Sequence, residues 1–224
     1  MIPSSYPCPL PDGTSVNEYA LAFDRGTAHR LLIIPALLDE GHRLRRLCVD
    51  VMRRLDGSGI DSFLPDLPGT NESAVNLADI SLPDWAKAMR AAASQFRATH
   101  VLALRGGGLI APPQLAGWHY GPVNGAKLLR TLIRARTLAG QEDGRKESSE
   151  GLQIEAQEHG IELAGYRLGA TMVQQIQAAH PIPDLAVIEQ DLIGGSPLWL
   201  RAEPAADAGQ ADALAAYLAM AIRG

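Results

Sequence analysis

Apolar residues recur along this chain with two different spacings, and the spacings alternate. Residues 18–23 read as a strand, the turn-forming Asp24-Arg25-Gly26-Thr27 follows, and 30–37 (RLLIIPAL) is a continuous apolar run. Such a run suits a parallel strand covered on both faces. Leu44, Leu47, Cys48, Val51 and Leu55 then repeat at three and four, which predicts an amphipathic helix over 41–55 with most of its arginines off that face. Gly57-Ser58-Gly59 stops it. Residues 60–64 return as a strand. Ser81 is the expected N-cap of a helix over 82–96, with Pro83 and Asp84 in the first turn and Trp85, Met89, Ala92 and Phe96 as its stripe. A short buried strand over 100–104 runs into Arg105-Gly106-Gly107-Gly108, expected to open a further helix.

The second half predicts a strand over 115–119 and a helix over 125–139 burying Leu128, Leu129, Leu132 and Ile133. Strands follow over 161–164, 185–189 and 198–202, with helices over 168–179 and 207–222. Residues 1–17 carry Pro3, Pro7, Pro9 and Pro11 and read as an extended arm. Residues 141–150 (QEDGRKESSE) are the one strongly polar stretch and read as a surface loop or disordered insertion. Strands alternating with helices predict an α/β fold with a doubly wound, mostly parallel sheet. One domain is expected over 1–224, with a small irregular or helical cap within 112–160.

Composition narrows the function classes. The 224 residues hold 20 Lys+Arg against 25 Asp+Glu, a formal charge of -5. A nucleic-acid partner is not expected, because phosphate-backbone binding needs clustered excess cations. Cys8 and Cys48 cannot build a disulfide framework or a four-thiolate zinc site, and no His and carboxylate positions show metal-ligand spacing. No apolar run approaches the roughly 20 residues that span a bilayer, and no leader is evident at the start, so a cytoplasmic protein is expected. Gly106-Gly107-Gly108 lacks the spacing of a dinucleotide fingerprint, so no cofactor is expected.

Two segments carry the chemistry. Strand residues 60–64 run into Pro65-Asp66-Leu67-Pro68-Gly69-Thr70, and the strand at 100–104 runs into the glycine cluster. Strand, sharp turn and helix in that order resemble the nucleophile elbow of α/β-hydrolases, whose five positions fall here on Ala103-Leu104-Arg105-Gly106-Gly107. A finer resemblance is to the exosortase A system-associated hydrolase family, type 2, of PEP-CTERM bacteria. It rests on Pro35-Ala36-Leu37-Leu38-Asp39-Glu40, on the DLPG turn, on Trp85, on the elbow with arginine, and on residues 118–125 leading into Leu129-Arg130. The resemblance implies a hydrolase by family, working alongside a system that sorts PEP-CTERM proteins and makes exopolysaccharide.

The residues themselves argue against serine-type catalysis. That chemistry needs a nucleophile, a base and an orienting acid, with the histidine after the last strand. Arg105 is permanently cationic and cannot attack an acyl carbon. The last histidine is His180, ahead of the terminal strands. Losing triad members costs about 10⁴ to 10⁶ in rate. A degenerate triad is therefore expected, and in its place an anion-binding pocket made by Arg105 with the Gly106 and Gly107 amides, with Asp39 and Glu40 at its rim. It would take a small anionic ligand or a protein of the exosortase system. The competing reading of Arg105 is a structural salt bridge to Asp39 or Glu40. The alternative function is a non-classical hydrolase of an ester or thioester, in which His119, paired with Asp39 or Glu40, activates a water.

Overall fold

In the computed structural model, which describes residues 1–142 and 147–224, the N-terminal arm is a strand. β1 (Ile2–Pro9) pairs antiparallel with β2 (Ser15–Phe23), Ser5 opposite Tyr19. Proline sits in a ladder only where its nitrogen faces away from the partner strand. Pro3, Pro7 and Pro9 share that parity, so β1 is by composition an edge. β2 pairs antiparallel with β4 (Asp61–Pro65). From there the sheet is parallel through β3 (Arg30–Ile34), β5 (His100–Leu104), β6 (Ala116–Tyr120) and β9 (Ala186–Ile188). The order is β1-β2-β4-β3-β5-β6-β9.

Helices cover both faces, which is why the central strands are apolar on both sides. On one face lie α1 (Asp39–Gly57) and α7 (Ala208–Arg223). Leu44, Leu47, Val51, Leu214 and Leu218 meet Leu31, Ile33, Leu102 and Tyr120 there. On the other lie α2 (Leu82–Gln95), α3 (Gly125–Glu142), α4 (Ser149–His159) and α5 (Ala170–Ala178). Trp85, Met89, Leu128 and Met172 pack there on Leu32, Phe63 and Val101. Ser81 caps α2 with a full capping box to Asp84, as its sequence predicts.

Several expectations are corrected. The glycine cluster opens no α-helix: Arg105–Leu109 is a five-residue 3-10 turn, and Pro112-Pro113 follows before β6 begins. Residues 198–202 are not a strand. Leu198–Leu200 is a 3-10 turn whose Leu198 and Trp199 side chains reach the core while the backbone leaves the sheet. Tyr166–Leu168, a segment given no strand by the sequence pattern, is β8, paired with β7 (Ile161–Leu163) across Ala164-Gly165, both at positive φ. A four-residue α6 (Gln190–Ile193) was not anticipated.

Additions to the sheet layers fall between α3 and α5. They are α4 and the β7–β8 hairpin, while β6 and α3, placed within the expected cap, belong to the sheet and its covering layer. Of the polar segment 141–150, residues 143–146 lie outside the described residues, and its last two begin α4.

Candidate functional site

The carboxyl ends of β3, β4 and β5 carry three non-glycine residues at positive φ: Leu38 (56°), Asn71 (48°) and Arg105 (51°). Such backbone is strained for L-residues and concentrates at functional positions. Arg105 leaves β5 in that conformation because the turn must double back at once against β3. A Cβ on Gly107 would stand 2.5 Å from the Pro35 carbonyl oxygen and 2.9 Å from that of Ile34, so only glycine permits the approach.

The Arg105 side chain is 11% exposed and fully oriented. Its Nε donates to Glu40 Oε2 at 3.1 Å and its Nη2 to Glu40 Oε1 at 2.9 Å, a bidentate pair. Nη1 donates to the Gly121 carbonyl at 2.6 Å. The guanidinium carbon lies 4.4 Å from the Trp199 ring centroid, and Trp199 meets Tyr120 edge-on at 5.5 Å. Gly121, at φ +55°, admits that ring: a Cβ there would stand 2.8 Å from it. The Tyr120 hydroxyl donates to Gln190 Oε1 at 2.6 Å, and burial pushes its phenol up to about 12, so it carries no charge near neutrality.

The sequence-predicted residues divide into two groups. Arg105 and Glu40 meet. Asp39 stands beside them as the first residue of α1, ion-paired to Arg43 one turn on, and Arg43 also donates to the Trp199 carbonyl at 3.0 Å. Asp39 and Arg43 form one wall of a groove whose other side is Leu132 and Arg136 of α3 with Glu162 and Gly165 of the hairpin. Gly106 and Gly107 are buried against Leu37, Leu128 and the end of β3, and the short 3-10 turn supplies no helix dipole of the kind expected at the pocket.

His119 stands apart. It alternates with Trp118 and Tyr120 along β6 and so faces the opposite side of the sheet from the Arg105 cover. It is 2% exposed, its Nε2 donates to the Ile182 carbonyl at 2.8 Å, and its Nδ1 has no partner. Its ring rests on Gly108, where a Cβ would meet Cε1 and Nδ1 at 2.7 Å. It pairs with neither Asp39 nor Glu40, and it lines neither the groove beside Asp39 and Arg43 nor the cavity beside Arg45 and Tyr166. His180 is exposed ahead of β9, and the stretch after β9 brings Trp199, not an imidazole, over the turn. Among the described residues no three His, Cys, Asp or Glu side chains are gathered to hold a metal.

Solved structures share this architecture. The chain superposes on DcsB in complex with its substrate analogue at TM-score 0.57 and 11% identity, covering 100% of both chains. It superposes on mouse alpha/beta hydrolase domain-containing protein 10 at 0.52 and 14%, covering 84% of this chain and 77% of that one. Est1E from Butyrivibrio proteoclasticus, with ferulic acid bound, gives 0.50 and 19%, over 78% and 70%. The fold is that of the α/β-hydrolases. No protein-family model matches the chain, and no curated protein does. Arg105 is the first residue after β5 and holds positive φ there. Sequence reasoning missed Trp199 and the Gly121 carbonyl. The one available signal was a tryptophan in the stretch after β9, where the fold ordinarily brings the histidine.

Proposed function

We propose that this chain is an α/β-hydrolase-fold protein without Ser-His-Asp catalysis, which binds an anionic ligand or partner at Arg105. The observation that carries the reading is the Arg105 guanidinium, held at the strained end of β5 by a bidentate carboxylate. Glu40 defines the group that fits, a planar anion gripped by two parallel N–H donors. Two of the five guanidinium N–H groups are not used by Glu40 or Gly121. An incoming carboxylate or phosphate competes with Glu40 for the same donors. The resemblance of the 35–40, 66–69 and 118–125 segments to the exosortase A-associated type 2 family supports a cytoplasmic role beside the PEP-CTERM sorting and exopolysaccharide system.

Phosphate or malate should raise the melting temperature of the wild type, leave Arg105→Ala unmoved, and shift Glu40→Gln further because the internal competitor is gone. Equal shifts in wild type and Arg105→Ala would overturn the anion site. Short-chain nitrophenyl esters and acyl thioesters should not be turned over above background. A rate lost on His119→Ala would establish the hydrolytic reading instead. Deleting the gene in its host should disturb PEP-CTERM protein sorting or exopolysaccharide, and an undisturbed surface would remove the link to that system.

A further inference from the structure

The sheet has two edges, and they are built differently. Along β1, Pro3, Pro7 and Pro9 remove three of the four outward N–H groups and leave that of Ser5, a common protection of an edge against further pairing. β9 has no such protection. It runs parallel to β6, with Gly121 N–H donating to the Ile188 carbonyl, so Ala186 and Ile188 bond inward. Consecutive residues of a strand turn their backbone groups in opposite directions. The N–H and C=O of Val187 therefore face outward, and its side chain is 46% exposed. Leu192 on the helical turn directly after β9 is 59% exposed.

Charge selects the occupant. Between Pro181 and Leu200 the chain has no Lys or Arg, while Asp184, Glu189 and Asp191 flank the strand within eight residues. All three are exposed, and none is ion-paired among the described residues. We propose that β9 is a docking edge that accepts, by strand addition, an extended segment of a partner protein carrying apolar residues between Lys or Arg side chains. A second copy of this chain fits poorly. Antiparallel pairing about Val187 sets the acidic flank of one copy against that of the other, which destabilises a ladder. The other exposed edge, β1, carries prolines and no charge.

The test uses labelled synthetic heptapeptides, Arg-Ser-Val-Thr-Val-Ser-Arg and its counterpart with Glu in place of Arg, in fluorescence anisotropy with the full chain at low salt. The Arg peptide should bind saturably, at least about tenfold more tightly than the Glu peptide. Val187→Pro, which deletes the outward donor, should abolish binding. Asp184→Lys/Glu189→Lys leaves the backbone edge intact and should reverse the preference between peptides. Melting curves identify any variant that fails to fold, and the charge-reversed variant decides the matter if Val187→Pro does. Equal binding of both peptides, or undiminished binding by a folded Val187→Pro, would overturn the proposal. So would sedimentation showing a dimer that Val187→Pro dissociates without any peptide binding, which assigns the edge to a second copy.

Discussion

Arg105 and Glu40 illustrate how a nearly buried ion pair constrains a protein more than it stabilises it. Each side chain is 11% exposed, so removing one leaves the other desolvated without a counter-charge. Arg105→Ala is expected to cost roughly 3 kcal/mol on this ground, and the double change Arg105→Met/Glu40→Leu distinctly less. Urea denaturation of the single and double variants measures both. Arg105→Ser should not create an esterase, because among the described residues no imidazole stands over the turn and Trp199 does. Gly108 makes a sharper point about His119. A methyl group there meets the imidazole at 2.7 Å, so Gly108→Ala is expected to destabilise by about 1–3 kcal/mol. His119→Ala should largely relieve that cost while forfeiting its bond to Ile182, a coupling readable in a double-mutant cycle. Were His119 a mobile general base beside a cleft, the two changes would simply add.

Elements differ in how much of them can be read before folding. The helices α1, α2, α3 and α7 are legible because each has a stripe at helical spacing that the structure buries, and α2 also announces its cap. Ser81→Ala should cost about 1 kcal/mol through loss of the Asp84 N–H partner, checked by the urea midpoint. The strands β3, β4 and β5 are legible as short apolar runs. Where the reading fails, tertiary packing has overridden local pattern. Leu198-Trp199-Leu200 looks like a strand because it is apolar, yet its role is to lay an indole over Arg105. The glycine cluster looks like a helix start, yet its glycines serve contact with β3 and His119. α4 was hidden because its sequence is mostly polar and only Leu152 and Ala156 are buried. The tight turn that Arg105 opens after β5 could be read from strand-turn spacing alone. The choice between Asp39 and Glu40 as the partner of Arg105 could not, because it depends on where α1 begins relative to β5.

At the scale of the whole molecule, charge is organised by the end of the sheet. The amino ends of the strands hold a network in which the nearly buried Arg30 joins Asp61 at 2.6 Å and Asp24 at 3.0 Å, donates to the Phe96 carbonyl and stacks on Phe63. Arg30 holds the Asp24 carboxyl at about 2, below its unfolded value near 3.9. A depressed folded value means the contribution is complete above about pH 4 and is lost as pH falls from there towards about 2. Urea midpoints should therefore drop through that window, less steeply in Asp24→Asn. Glu18 has the opposite sign: burial raises its carboxyl, so the folded state disfavours its charge at neutral pH. Glu18→Gln keeps an acceptor for the Ser73 hydroxyl and should match or exceed the wild-type melting temperature at pH 8, while differing little at pH 4. A loss at both pH values would refute this. The prolines of β1 have a consequence for assembly. With one margin of the sheet largely closed to neighbours, copies of this chain cannot join edge to edge through both margins. A chain built this way is suited to finite one-to-one complexes and is poorly suited to stacking into fibres.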